Sequence, residues 1–169
     1  MATRQVLADL AADWLARGGE AVAVESVGGV DAAQRVQAGQ EALDVVFLAS
    51  NAIDKLQAAG RVVAGSKVNL VLSSTAVAVP LGAAAPDIRS EEAVRAAVLA
   101  APSIGYSTGP SGVALQKLFE RWSIAEEIQP RIVQAKPGVP VGSMVASGEV
   151  ALGFQQLSEL IHVQGITIV

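Results

Sequence analysis

The chain alternates between two hydrophobic periods. Val6, Leu7, Leu10, Trp14 and Leu15 recur at helical spacing, and Gly18-Gly19 stops that helix. Ala21–Glu25 reads as a short strand, Ser26-Val27-Gly28-Gly29 as a turn, and Asp31 as the cap of a helix running to Ala38. Asp44–Leu48 is a continuous apolar run, as expected of a strand covered on both faces. Ser50 or Asn51 then caps a helix over Ala52–Ala59, closed by Gly60. Strand, turn and helix thus follow one another twice, the order of a parallel α/β sheet.

The middle lacks a helix between extended runs. Val68–Leu72 and Thr75–Leu81 read as one long extended stretch, able to cross from one lobe to another. Ser90-Glu91-Glu92 caps a helix carrying Val94, Ala97 and Val98. Ser103–Tyr106 is a strand, Ser107–Gly112 a loop, and Val113–Trp122 an amphipathic helix. Beyond it come strand residues Arg131–Val133, a helix over Pro140–Ala146, a strand over Ala151–Phe154 and a short helix over Leu157–Ile161. Ile166–Val169 begins a last strand. Trp14 and Trp122 fall on apolar helical faces and are expected in the core.

Composition narrows the function. The 169 residues are 51% hydrophobic and 17% charged, enough apolar surface for a sizeable core. A net charge of −4 with no basic stripe argues against nucleic acid. Zero Cys excludes disulfides, zinc fingers, iron–sulfur clusters and thiol nucleophiles, and the single His162 excludes most histidine metal sites. The nearly uncharged stretch Val68–Pro86 is broken by Ser73, Ser74, Thr75, Pro80 and Gly82, so no membrane-spanning segment is expected. The acidic residues have no metal-ligand spacing, and no GxSxG elbow or Walker loop occurs.

The loop Tyr106-Ser107-Thr108-Gly109-Pro110-Ser111-Gly112 carries the clearest chemistry. It joins a strand to a helix, and Pro110 suits the first helical turn, where its missing N–H costs nothing. The amides that follow are unpaired and carry the positive end of the helix dipole, with Ser107, Thr108 and Ser111 around them. An anion fits there without a lysine. The plain alternative is that Ser107 or Thr108 only caps the helix. Ser50-Asn51 and Ser26–Gly29 repeat the arrangement at two other strand ends, pointing to a ligand at the carboxyl edge of an open sheet. Gln155 and Gln156 end another strand with two amides able to donate to an oxyanion, or else lie on the surface.

Four segments, DVVFLASNAIDKLQAAGRV, NLVLSSTAVAVPLG, SIGYSTGPSGVALQKLFERW and VASGEVALGFQQLSEL, together resemble the molybdate-binding-like periplasmic solute-binding proteins. These are substrate receptors of ABC importers with the type 2 periplasmic binding fold. The resemblance implies two α/β lobes with open mixed sheets, joined by extended crossovers. Residues 1–76 would be a first lobe, truncated, without its first strand and closing helices. Residues 77–165 would be the second lobe, and 166–169 the start of the return crossover.

The resemblance also implies a ligand, a small oxyanion or organic carboxylate between the lobes, with no cofactor and no metal. Ser50 matches the family's strand-end serine, Ser111 its contact after the crossover, and Val139–Val141 a helix start whose amide touches the anion. Gln156 falls where molybdate binders place a tyrosine, and Gly28 and Gly29 where they place a serine, which departs from molybdate or tungstate specificity; Gln155, Gln156 and the hydroxyl-rich loop Ser107–Gly112 suit an organic carboxylate better. The candidate contacts are Ser50, Asn51, Tyr106, Ser107, Thr108, Gly109, Ser111, Gly112, Val141, Gln155 and Gln156. An ABC permease as partner and a periplasmic location follow from the same resemblance, and a homodimer would cover the sheet edge of an incomplete lobe. Aconitate isomerases share the resemblance, which makes a tricarboxylate isomerase the alternative, with Tyr106 or a carboxylate as base and none singled out. A ligand-sensing lobe of a regulator is a third reading, but no helix-turn-helix precedes the α/β part.

Overall fold

The computed structural model describes residues 3–39, 42–136 and 138–169, and the chain divides at the crossover into Met1–Leu72 and Ser73–Val169. In the first unit the helices are α1 (Arg4–Ala16), α2 (Gly29–Ala38) and α3 (Ser50–Ala58). α1 gives way to Gly18 at φ +85°, and α2 ends on Gly39 at φ +65°, left-handed positions that glycine takes at little cost. Two helix starts differ from expectation. The N-cap of α2 is Gly28, so Asp31 lies inside the first turn, where it pairs with Arg35 at 3.2 Å. The carbonyl of Ala49 already accepts from Ala52 and Ile53, so α3 begins at Ser50 and neither Ser50 nor Asn51 caps it.

None of the strands expected at 21–25, 44–48 and 68–72 forms among the described residues. A strand needs a neighbour to pair its amides, and none of the described residues of this unit supplies one. The apolar side chains of these runs stay accessible: Val22, Val45 and Val68 are 58%, 65% and 72% exposed. Trp14 is likewise exposed rather than in the core. α1 buries no residue, and the indole lies instead against the backbone of Gly19, where a Cβ would run into the ring.

The second unit holds β1 (Thr75–Pro80), α4 (Glu91–Ala100), β2 (Ile104–Tyr106), α5 (Pro110–Arg121), α6 (Ala125–Ile128), β3 (Ile132–Gln134), α7 (Val141–Ala146), β4 (Leu152–Gln156), α8 (Leu157–Leu160) and β5 (Ile166–Ile168). Its strands form one mixed sheet in the order β3-β2-β4-β1-β5. β2 runs parallel to β3 and β4, while β1 is antiparallel to β4 and β5. Ile104, Tyr106 and Phe154 face a core completed by Val98, Leu115 and Phe119 of α4 and α5. The opposite face packs Ala78 with Val141, Val145 and Leu160 of α7 and α8. Gly153 lets α7 lie directly on that face, because a Cβ there would meet Val145 and Val141.

The Ser90 cap forms as expected, its hydroxyl accepting from Ala93 N–H at 3.1 Å. α5 starts at Pro110, earlier than the apolar spacing indicates, and β4 runs two residues past Phe154. Trp122 is half-buried against the first core cluster.

Candidate functional site

Strand pairing decides which loops share an edge. Tyr106 sits opposite Gln134 on β3 and opposite Phe154 on β4, all in parallel register. Thr75 pairs antiparallel with Gln156. The carboxyl ends of β2, β3 and β4 therefore lie together with the beginning of β1. This edge gathers Ser107–Ser111, Lys136, Val139–Val141, Gln155–Leu157 and Ser73–Thr75.

The start of α5 is the most donor-rich part of the edge. Its N-cap is Gly109, which has no side chain to cap with, and Pro110 occupies the first turn. Ser107 Oγ accepts from Gly109 N–H at 3.2 Å, which folds the loop back on itself just before the helix. Val113 N–H is spent on the Gly109 carbonyl. The Ser111 and Gly112 N–H groups, next to the dipole's positive end, have no partner among the described residues. Thr108 is exposed, Ser107 half-buried and Ser111 only 9% exposed. Gly112 is required by close approach, since a Cβ there would overlap the Ser107 carbonyl.

Tyr106 does not reach this edge. Its side chain is in the core beneath α5, with its ring 6.2 Å from that of Phe119 and its hydroxyl accepting from Gln116 Nε2 at 3.2 Å. It lines a cavity of about 200 Å³ with Gln116, Phe119 and Ile128, on the α5 face of the sheet.

The adjacent glutamines separate. Gln155 is buried; its Oε1 accepts from Gly142 N–H at 3.0 Å and its Nε2 donates to Glu159. Gln156 is half-buried and occupies the N-cap position of α8, where its side chain makes no cap hydrogen bond. Ser143 N–H donates to the Pro140 carbonyl; Val141 N–H has no partner among the described residues, and the Val141 side chain is wholly buried. Ser50 and Asn51 are exposed in the first turn of α3, in the first unit. His162 is exposed, and no cluster of metal-ligating side chains occurs among the described residues.

Two contributions to the edge escape the sequence reading. Ser73, Ser74 and Thr75 join it because β1 pairs with β4, and the Ser74 carbonyl accepts from Leu157 N–H at 2.9 Å. Their only signal is a run of hydroxyls ending an apolar stretch. Lys136 stands two residues beyond β3 and brings a cation to an edge expected to hold none.

Comparison with known proteins gives this geometry a context. The model for bacterial extracellular solute-binding proteins matches residues 1–169. The chain belongs to that family. An aconitate isomerase from Pseudomonas sp is 44% identical to this solute-binding chain over 133 residues, covering 78% of the chain and 50% of that enzyme. The chain thus spans half the length of this relative. Among solved structures, the periplasmic molybdate-binding protein of Azotobacter vinelandii superposes with a TM-score of 0.73 at 23% identity, covering 96% of the chain and 71% of that protein. A substrate-binding domain assigned to a molybdenum ABC transporter of Clostridium difficile also gives 0.73, at 12% identity, covering 99% and 73%. At these identities the likeness is one of fold, the α/β fold of periplasmic binding proteins with an open mixed sheet. No described helix of this family member is long and apolar enough to cross a membrane.

Proposed function

We propose that the chain binds a small organic carboxylate at the carboxyl edge of the Ser73–Val169 sheet, as the periplasmic substrate receptor of an ABC importer. The observation that carries this is the start of α5, where Ser111 and Gly112 present free amides beside the Ser107, Thr108 and Ser111 hydroxyls. Amides in that position meet a carboxylate with full dipoles and no need to move. Val141 N–H, Gln156 and Lys136 would complete the shell, and the lysine adds a charge to a set of neutral donors. Membership of the solute-binding family supports the reading. Calorimetric titration with citrate, trans-aconitate, sulfate, molybdate and tungstate tests it. Heat with a carboxylate is expected, and no heat with any of the five overturns it.

A second reading has one specific support, the 44% identity to an aconitate isomerase. The same edge would then hold a tricarboxylate while a base moves a proton between its carbons. Incubation with cis-aconitate, followed by proton NMR, separates the two readings. Formation of the trans isomer favours the enzyme, and an unchanged spectrum with measurable binding favours the receptor.

A further inference from the structure

Gln155 is the most deeply buried polar side chain near this edge, at 4% exposure. Side chains alternate along β4. Gly153 faces Val141 and Val145 of α7, and Phe154 enters the core on the α5 side. Gln155 therefore returns to the α7 face and Gln156 turns away from it. The two ends of the Gln155 amide bridge different elements, with Gly142 of α7 on its oxygen and Glu159 of α8 on its nitrogen. The order of donors and acceptors allows little else. Gly142 N–H takes an acceptor and the Glu159 carboxylate takes a donor from the same side-chain terminus, a pairing that an amide supplies and an ionised carboxylate cannot.

We propose that Gln155 is a positioning residue of the anion site: with Glu159 it forms a brace that holds α7 and α8 against the end of β4 and so sets Gln156 at the edge, without touching the ligand itself. This rests on the reading of the carboxyl edge as the anion site, and it revises the expectation that both glutamines are contacts. The brace anchors the two chain turns that flank the edge, Pro140–Val141 and Gln156–Leu157. Releasing it lets both turns shift although no group facing the ligand has changed.

Because the bonding pattern is directional, it can be reversed. Gln155→Glu sets a second carboxylate against Glu159. Adding Glu159→Gln removes that repulsion and restores one donor–acceptor pair between the side chains, with polarity reversed, so that the carboxylate at position 155 can again settle against Gly142 N–H. Affinity for citrate, trans-aconitate and molybdate is measured by calorimetry, and protection of Gly142 N–H by hydrogen exchange. Q155E is expected to weaken the tightest of these anions about tenfold and to expose the Gly142 amide. The double variant is expected to recover both. Should Q155E fail to fold, Glu159→Ala on its own is expected to give the same loss, since it unties Gln155 without replacing it. If the double variant regains Gly142 protection but stays weak, or if E159A binds like the parent, the brace does not set the site and the proposal falls. If the parent binds none of the five ligands of the calorimetric titration, the site reading and the positioning role fall together, whereas protection of Gly142 still shows that the brace exists.

Discussion

Replacing Gly112 with alanine tests whether the first turn of α5 is held as tightly as its surroundings indicate. The backbone at Gly112 is not left-handed, so only space is at issue. A Cβ would land on the Ser107 carbonyl oxygen, 2.9 Å from the carbonyl carbon and 3.1 Å from Tyr106 Cδ2. Neither neighbour yields easily, because one is backbone and the other is a buried ring tied to Gln116. Helix propensity favours alanine by about 1 kcal/mol. Overpacking opposes it by about 1–3 kcal/mol, near the upper end when the obstacle is backbone. The net expectation is a loss of about 1–2 kcal/mol, with the turn pushed outward by roughly 1 Å. Hydrogen bonds to a charged group are worth about 1.5–3 kcal/mol each, so weakening the two from Ser111 and Gly112 should lower citrate affinity by about 100-fold. Urea unfolding followed by Trp122 fluorescence in a Trp14→Phe background reports the second unit. Gly29→Ala in the first unit, followed by Trp14 fluorescence in a Trp122→Phe background, is the control: the nearest atom to its Cβ, Leu48 Cδ2, is 4.0 Å away, and the change should stay within about 0.5 kcal/mol. A Gly112→Ala protein as stable and as tight-binding as the parent would refute the reasoning.

Other expectations follow from the same packing. Ile104, fully buried on β2, should cost about 2–5 kcal/mol on truncation to alanine, whereas Leu10→Ala on exposed α1 should change chemical stability by less than about 0.5 kcal/mol. Ser90→Ala removes the α4 cap and should lower stability by about 1 kcal/mol in thermal unfolding. The Trp122 indole and the Arg121 guanidinium, each 2.6 Å from Glu91, hold its carboxyl below the usual range, the indole contributing most. A lowered folded-state value gives stabilisation that is complete above the unfolded-state value and lost as pH falls through the folded one. The melting temperature should therefore drop as pH falls below about 4.3, and Glu91→Gln should flatten that part of the profile; a profile unchanged by Glu91→Gln would count against the contact.

Features written in single residues were legible from the chain. Ser90 caps where a serine before two glutamates should, and Pro110 announces the turn that opens α5. Features that depend on neighbours were not. The apolar runs at 44–48 and 68–72 have strand composition, but a strand is a relation between segments, and no described segment of the first unit pairs with them. Trp14 has core spacing on a helix that buries nothing. Gln155 and Gln156 look equivalent until β4 is known to run through both, because the alternation of one more pair of residues sends one inward and the other to the edge. Ser73 and Lys136 reach the edge only through the strand order, which no local pattern announces.

That strand order has a mechanical consequence. β1 and β5 are antiparallel neighbours, with Ala78 opposite Ile168 and Val169 N–H bonded to the Val77 carbonyl. The chain thus enters the second unit at Ser73 and reaches Val169 at the same end of the sheet. Tension applied through these two points pulls across the strands rather than along them. The hydrogen bonds between β1 and β5, perpendicular to the strands, would then be loaded one after another, as in a zipper, instead of sharing the force in shear. A unit loaded this way peels open at low force from its β5 side, while the parallel strands β2, β3 and β4 carry none of the initial load.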